Sequence, residues 1–348
     1  MQYSMLKIRG IKMMGLESRN AYGLRRRIAN THTLSSQTRK GMIGAVALVR
    51  SFSFAIPVNR ERTMDMVAVR HSTLKVGPVT VFYREAGLEG NSVLLLLHGF
   101  ANSSHYFRHL MPLLADRFHL IAPDLPSFGF TKVDGESYRY TFAQLTETMQ
   151  AFLDALRLRR FAMYVFDYGA PIGFNLAVAD PSRITAIISQ NGNAYEEGLG
   201  EGPWAPLRAY WKQPSAAIRD QIKERMSLDG VREAYFQGVP DVSKIEPEAY
   251  WLDAALLARP GMMDLQVDLK LDYKANIERY PLYQQYLRTH QPPLLAIWGK
   301  NDSFFVPPGA EAFKRDVPNA VVKFLDTGHF ALESNLGDIA SAILKMPM

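Results

Sequence analysis

One short segment constrains the fold of this 348-residue chain more than any other. Residues 161–165 are an unbroken apolar run typical of a buried strand, and residues 170–177 continue as a helix. Asp167 and Gly169 stand between the two. A strand, a sharp turn and a helix in immediate succession lift one side chain of the turn above the edge of a sheet. In this chain that side chain is Asp167.

An aspartate at this turn favours a particular chemistry. A carboxylate with an ordinary pKa of about 4 is already ionised near neutral pH and needs no base to become a nucleophile. It suits attack on a saturated carbon, which gives an alkyl-enzyme ester that water must then cleave. Asp and Gly are also ordinary turn residues, so this turn taken alone is equally well explained without a catalytic role.

Three further segments favour the catalytic interpretation. The loop 98–100 follows one strand-like apolar run, Asp302 follows a second and His329 follows a third. Taken singly, Asp302 could be a turn residue and His329 a helix cap. Their placement at strand ends, in the order aspartate, acid and histidine, is hard to assign to chance. We therefore expect these side chains to meet at one edge of a sheet.

On these residues the chain resembles the α/β-hydrolases, and among them the branch that contains haloalkane dehalogenases, epoxide hydrolases and fluoroacetate dehalogenases. The resemblance covers about residues 70–346. The motifs that carry it are His98-Gly99-Phe100, Asp124-Leu125-Pro126-Ser127-Phe128-Gly129, the Asp167 turn, Trp298-Gly299-Lys300-Asn301-Asp302 and Gly328-His329-Phe330. It implies an α/β fold with a mostly parallel sheet, helices on both faces and a helical cap inserted after the sixth strand.

The rest of the sequence is consistent with that architecture. Strands are predicted at residues 79–85, 119–124 and 184–189, and a helix at residues 142–158. We expect a hydrolase core at residues 64–192 and 293–348. Residues 193–292 lack strand-like runs and are rich in aromatic residues, so we expect them to form the helical cap.

The resemblance assigns roles to five residues. Asp167 is the expected nucleophile, and Asp302 is expected to orient His329, which activates the water that cleaves the ester. The backbone N–H groups of Phe100 and Tyr168 are expected to form the oxyanion hole. The expected substrate is a small apolar or amphipathic organic molecule.

The group that stabilises the leaving atom is less clearly indicated. Haloalkane dehalogenases use a tryptophan and often an asparagine at the positions of Tyr168 and Phe100, and fluoroacetate dehalogenases place an arginine at the former. Epoxide hydrolases use cap tyrosines as proton donors, and Tyr273 is our candidate. Other cap tyrosines that could serve are Tyr210, Tyr235 and Tyr250.

Epoxide hydrolysis is therefore favoured, and haloalkane or haloacid dehalogenation is the alternative. An alternative of another class is a non-catalytic ligand-binding protein, because the fold alone does not guarantee turnover. Ala101 replaces the proline that usually follows the loop 98–100 in this family.

Composition excludes several other function classes. The chain has no cysteine, which excludes disulfides and thiolate metal sites. Its eight histidines show no metal-ligand spacing, and no glycine-rich phosphate loop is present. We therefore expect neither a metal nor a cofactor. The sequence does not predict an oligomeric state.

The net charge of +6 is unevenly distributed. Residues 1–63 carry twelve Lys and Arg against two acids, so the remainder is mildly acidic and nucleic-acid binding by the body is not expected. We interpret residues 1–63 as a disordered or cleaved extension, with a natural start at Met64 or Met66 favoured over an organellar or export leader. Its apolar run at residues 41–49 is too short to span a membrane. A cytoplasmic location is expected unless the extension is a genuine leader.

Overall fold

The computed structural model describes residues 68–135 and 137–348, so the predictions for residues 1–63 lie outside it. The strands are β1 (Arg70–Val76), β2 (Val79–Ala86), β3 (Ser92–Leu97), β4 (Phe118–Pro123), β5 (Lys132–Val133), β6 (Phe161–Phe166), β7 (Ile184–Gln190), β8 (Leu294–Gly299) and β9 (Val321–Leu325). They form one sheet in the order β1-β2-β4-β3-β6-β7-β8-β9, and β5 pairs with β2.

The helices surround this sheet and follow most of its strands. They are α1 (Leu110–Leu114), α2 (Phe142–Ala155), α3 (Gly169–Ala179), α4 (Glu201–Lys212), α5 (Ala216–Glu224), α6 (Leu228–Phe236), α7 (Pro247–Leu257), α8 (Met262–His290), α9 (Pro307–Asp316), α10 (Ala331–Ser334) and α11 (Leu336–Leu344).

The centre of the sheet is parallel and almost completely buried. Strands β3, β4, β6, β7, β8 and β9 pair in parallel, whereas β2 pairs antiparallel with β1, β4 and β5. Every residue of β4, β6, β7 and β8 is buried except Thr185, which is half-buried. Continuous apolar runs such as 161–166 form strands of this kind because helices cover both faces of a parallel sheet. The predicted α/β architecture is confirmed.

The strand predictions agree with the structure to within about one residue, and the helix predicted at residues 142–158 ends at Ala155. Strand β1 was not predicted, because its side chains are exposed or half-buried and it lacks an apolar run. The short β5 adds a strand before the insertion. The helical segment therefore follows the seventh strand of the chain rather than the sixth.

Between β7 and β8 the chain is helical. Helices α4 to α8 all lie in this stretch, which we call the inserted segment (residues 191–293). Helix α8 packs against α2 and α3 of the core through buried tyrosines, including Tyr273 and Tyr283. In the part of the chain that the structure describes, no helix is long and apolar enough to cross a membrane.

Candidate active site

Asp167 occupies the sharp turn between β6 and α3. Its φ of 47° lies in the left-handed region, which few residues other than glycine adopt. Two glycines make the turn possible, since a Cβ on Gly99 would overlap the Asp167 side chain and a Cβ on Gly169 would overlap the carbonyl of Leu97. The sequence between residues 161 and 177 thus builds a strained turn that presents a carboxylate at the carboxyl edge of the sheet.

Two backbone N–H groups hold one oxygen of this carboxylate. Phe100 N and Tyr168 N each donate a hydrogen bond to Asp167 Oδ1, both at 2.6 Å. Phe100 belongs to the loop after β3, and Tyr168 directly precedes α3. These are the two N–H groups that the sequence predicted for an oxyanion hole, and the structure brings them together on Oδ1.

The other oxygen faces a histidine. His329 Nε2 lies 3.6 Å from Asp167 Oδ2, and His329 Nδ1 lies 2.7 Å from Asp302 Oδ2. Asp302 follows β8 and His329 follows β9, so neighbouring parallel strands deliver both side chains to the same edge. The structure thus places Asp167, His329 and Asp302 in one continuous line.

The charge of His329 is governed by these two carboxylates. Burial lowers its pKa, but the charges of Asp302 and Asp167 and their hydrogen bonds outweigh burial and raise the pKa to about 9. The histidine is therefore protonated at neutral pH.

Asn191 holds the side chain of Asp302 in place, a role that was not predicted from the sequence. Its Nδ2 donates to Asp302 Oδ2 at 2.7 Å, and its Oδ1 accepts from Gly299 N at 3.0 Å. Phe304 N donates to the other oxygen of Asp302 at 2.7 Å. The only sequence signal for Asn191 is its position directly after β7, on the edge where the other three side chains gather.

A cavity of about 490 Å³ opens above Asp167. Asp167, Tyr168, Phe100 and His329 form its core side. The inserted segment contributes an apolar wall that includes Trp204, Leu207, Ile222, Met226, Val231 and Tyr273. A concave, largely apolar space with a few convergent polar groups is typical of a small-molecule site.

Of the four tyrosines considered as proton donors, Tyr273 lines the cavity and the other three do not. Its ring lies 5.8 Å from that of Tyr168, and its hydroxyl lies 3.3 Å from that of Tyr280. The hydroxyl of Tyr235 instead donates to Asp253 Oδ2 at 2.6 Å.

Lys270 is a second residue that the sequence analysis missed. It lies one helical turn before Tyr273 on α8, and its Nζ is 3.9 Å from the centre of the Phe100 ring. No sequence signal distinguishes it, because α8 carries many charged residues. Within the described residues, no cluster of His, Asp and Glu could hold a metal ion.

Comparison with known families identifies the family of the chain. Residues 92–336 match the family described as the alpha/beta hydrolase fold. The chain belongs to the α/β-hydrolases. The predicted family and enzyme class are therefore confirmed.

The relatives of this α/β-hydrolase include an uncharacterized hydrolase and a haloalkane dehalogenase. It is 47% identical over 285 residues to an uncharacterized hydrolase of Saccharomyces cerevisiae, covering 81% of this chain and 98% of the relative. A haloalkane dehalogenase of Psychrobacter cryohalolentis is 32% identical over 125 residues, 35% of this chain and 41% of the relative.

Among solved structures, the ligand-free epoxide hydrolase CorEH is similar to this α/β-hydrolase with a TM-score of 0.66. The identity is 16%, and the match covers 80% of this chain and 98% of that one. At this identity the similarity shows the fold alone.

Proposed function

We propose that this α/β-hydrolase is an epoxide hydrolase in which Asp167 forms an ester with the substrate and His329 directs water to cleave it. One observation carries the proposal: a carboxylate, where a serine hydrolase has a hydroxyl, lies between two N–H donors and a histidine held by an acid. A carboxylate in this position attacks saturated carbon without prior deprotonation.

The hydrogen bonds give the two oxygens of Asp167 different roles in the first step. Oδ1 is held by the N–H groups of Phe100 and Tyr168, so Oδ2 is the oxygen that attacks. A C–O bond of the oxirane breaks as the ester C–O bond forms, and the released alkoxide takes a proton. Oδ1 becomes the ester carbonyl oxygen and already lies in the oxyanion hole.

The second step depends on the change in charge at Asp167. Once esterified, Asp167 no longer holds a proton on His329 by attraction. The pKa of His329 therefore falls. The proton that the histidine loses replaces the one that Tyr273 gave to the alkoxide, and the neutral histidine then accepts a proton from water. Water attacks Asp167 Cγ, and the N–H groups of Phe100 and Tyr168 stabilise the tetrahedral oxyanion. The bond between Cγ and the substrate oxygen then breaks, the departing alkoxide takes the proton of the newly formed carboxyl group, and the diol leaves with the carboxylate of Asp167 restored.

Tyr273 is the proposed proton donor of the first step. Asn193 Nδ2 donates to the hydroxyl of Tyr280 at 3.2 Å, which leaves Tyr280 free to donate a hydrogen bond to the hydroxyl of Tyr273. Tyr273 then keeps its phenolic proton for the departing oxygen. In this proposal the inserted segment acts as the cap that shuts out water.

The choice of epoxide over halide rests on the donors that the cavity lacks. Tyr168 and Phe100 stand at the positions where dehalogenases carry halide-binding Trp and Asn residues. The indole N–H of Trp204, which lines the cavity, already donates to the carbonyl of Phe304 at 2.9 Å. A phenol suits a departing alkoxide, which needs a proton, more than a halide, which does not. The dehalogenase relative keeps dehalogenation as the second candidate.

A single turnover in heavy-oxygen water tests the nucleophile. With enzyme in excess over an epoxide, we expect the diol to carry an unlabelled oxygen from Asp167, and the peptide that contains Asp167 to gain one heavy oxygen. Labelled diol with unlabelled Asp167 would show direct attack by water and overturn the covalent mechanism.

The variant His329→Gln separates the two steps. We expect it to accumulate a protein adduct with the mass of the epoxide, located on the peptide of Asp167, because attack needs no base and ester cleavage does. His109→Gln is the matched control, since His109 is an exposed histidine paired with Glu246. The same assay with haloalkanes, haloacids and esters identifies the leaving group. Absence of any adduct or turnover with every class would favour a non-catalytic ligand-binding protein.

A further inference from the structure

Lys270 places a positive charge inside an otherwise largely apolar cavity. Its side chain is half-buried and lines the cavity beside Asp167. Nζ lies 3.9 Å from the centre of the Phe100 ring and 5.9 Å from that of Tyr168. Among the described residues, no carboxylate lies within ion-pairing distance of this ammonium group.

The surroundings of Lys270 disfavour its charged form. Burial lowers the pKa of Lys270 to about 8, and Asp167 offsets that only in part. Contact with an aromatic face offsets only part of the hydration that a cation loses on burial. A lysine held there is therefore better explained by a ligand than by packing.

Arg225 adds a second cation to the same cavity. It follows α5, is exposed, and lines the cavity together with Lys270. Its charge further lowers the pKa of Lys270, so the two cations repel each other. The two carboxylates that line the cavity, Asp167 and Glu233, form an ion pair with neither of them in the described structure. An anion bound between Lys270 and Arg225 would relieve both charges.

We propose that Lys270 and Arg225 bind the carboxylate of the substrate, which is an organic acid that carries its reactive carbon on an apolar chain. The prediction that a carboxylate binds here is argued from the two cations and does not depend on the proposed function. Its role in turnover rests on the proposed function. The apolar wall, which includes Leu207, Ile222 and Val231, accommodates the chain between the carboxylate and the reacting carbon. The cavity volume of about 490 Å³ is within the usual range for drug-sized ligands.

Binding of unreactive ligands tests the site without turnover. Isothermal titration calorimetry compares 4-phenylbutanoate with 4-phenylbutan-1-ol, which differ in charge and little in shape. We expect the wild-type chain to bind the carboxylate at least about 10-fold more tightly, the usual effect of hydrogen bonds to a charged group. Lys270→Met should abolish that preference and change the affinity for the alcohol by less than about 3-fold.

Matched variants separate a local effect from a general change in charge. Lys274→Met removes an exposed lysine one turn further along α8, where it pairs with Glu278, and should leave the carboxylate preference intact. Arg225→Gln should weaken carboxylate binding, whereas Arg232→Gln, at an exposed arginine paired with Asp229, should not. Lys270→Arg should retain part of the preference.

Turnover then tests the substrate class. We expect kcat/KM for 5,6-epoxyhexanoate to exceed that for 5,6-epoxyhexan-1-ol, and Lys270→Met to remove the difference. Equal wild-type binding of the acid and the alcohol would overturn the proposal. So would an equal loss for both epoxides in Lys270→Met, because Lys270 would then act on the departing oxygen. Carboxylate-selective binding with no adduct on Asp167 would refute the proposed function and leave the anion site standing.

Discussion

The ring of Tyr235 lies parallel to the ring of Phe330, with centroids 3.9 Å apart and planes 2° from parallel. Tyr235 belongs to α6 of the inserted segment, and Phe330 directly follows His329. The hydroxyl of Tyr235 donates to the buried carboxyl group of Asp253, which also accepts from Asn102 Nδ2 at 2.7 Å. A buried polar cluster of Tyr235, Asp253 and Asn102 therefore joins the inserted segment to the loop after β3, and the ring stack joins it to the loop after β9.

The buried carboxyl group of Asp253 in this cluster should make the free energy of unfolding depend on pH. Burial raises the pKa of Asp253 to about 8, and the hydrogen bonds from Tyr235 and Asn102 oppose it only in part. The folded chain thus holds a proton that the unfolded chain releases near pH 4. This group's contribution to stability is fully present below pH 4 and is lost as pH rises toward 8.

Asp253→Asn should remove that dependence, because an amide cannot ionise but can still accept both hydrogen bonds. We expect Tm at pH 8 to rise, by roughly 2–4 °C for each kcal/mol gained. Thermal unfolding from pH 5 to pH 8.5 measures the effect. Asp241→Asn, at a fully exposed carboxylate, is the control. A variant with the same pH slope as the wild type would show that Asp253 is ionised in the fold.

The pH dependence of ester cleavage reports on His329. The base must be neutral, so the rate of ester cleavage should rise with pH and then level off. In the resting chain the pKa of His329 is about 9, but the ester lacks the charge of Asp167. The midpoint should therefore lie below pH 9. Rapid-quench measurement of the decay of the ester gives this midpoint, and a rate that falls with rising pH would contradict the role of base.

Asn191 should act by positioning Asp302. We expect Asn191→Gly to slow ester cleavage by about 10-fold and to lower stability by about 1–3 kcal/mol, because the buried Asp302 and Gly299 N lose their amide partner. Glycine tolerates the φ of 45° at this position, so the backbone should not change. Rates of ester formation and cleavage are measured separately. If ester formation falls as much as cleavage, the defect lies in the whole site.

Tyr273→Phe tests the proton donor. Loss of the phenol should slow opening of an epoxide by about 100-fold, the usual contribution of a positioned general acid. Opening of a haloalkane, which needs no proton, should change much less. Tyr280→Phe removes the hydroxyl that contacts Tyr273. Because Tyr280 does not line the cavity, this variant should slow epoxide opening less. An equal loss on both substrates would assign Tyr273 a structural role.

The sequence predicted those parts of the fold and site that depend on chain order. The runs 161–166 and 294–299 are apolar throughout, and a parallel sheet requires their carboxyl ends to share an edge. Asp167, Asp302 and His329 could therefore be placed near one another before their distances were known.

Asn191 and Lys270 could not be predicted in the same way. Asn191 becomes important only because its side chain reaches Asp302, more than a hundred residues away in the chain. Lys270 looks like any charged residue on a long helix until the packing of α8 places it over Phe100. Strand β1 lacks an apolar run because it lies at the sheet edge. In each case the decisive contact is tertiary.

The division of the cavity between Asp167 of the core and Tyr273 of the inserted segment has a stereochemical consequence. Under the proposed mechanism the breaking C–O bond lies between them, so attack comes from the face opposite the departing oxygen. The configuration of the attacked carbon is therefore inverted. The ester is then cleaved at Asp167 Cγ, which leaves that inverted centre untouched. The handedness of the diol is thus decided by which ring carbon meets Asp167, and two mirror-image epoxides bound in opposite orientations would converge on a single diol.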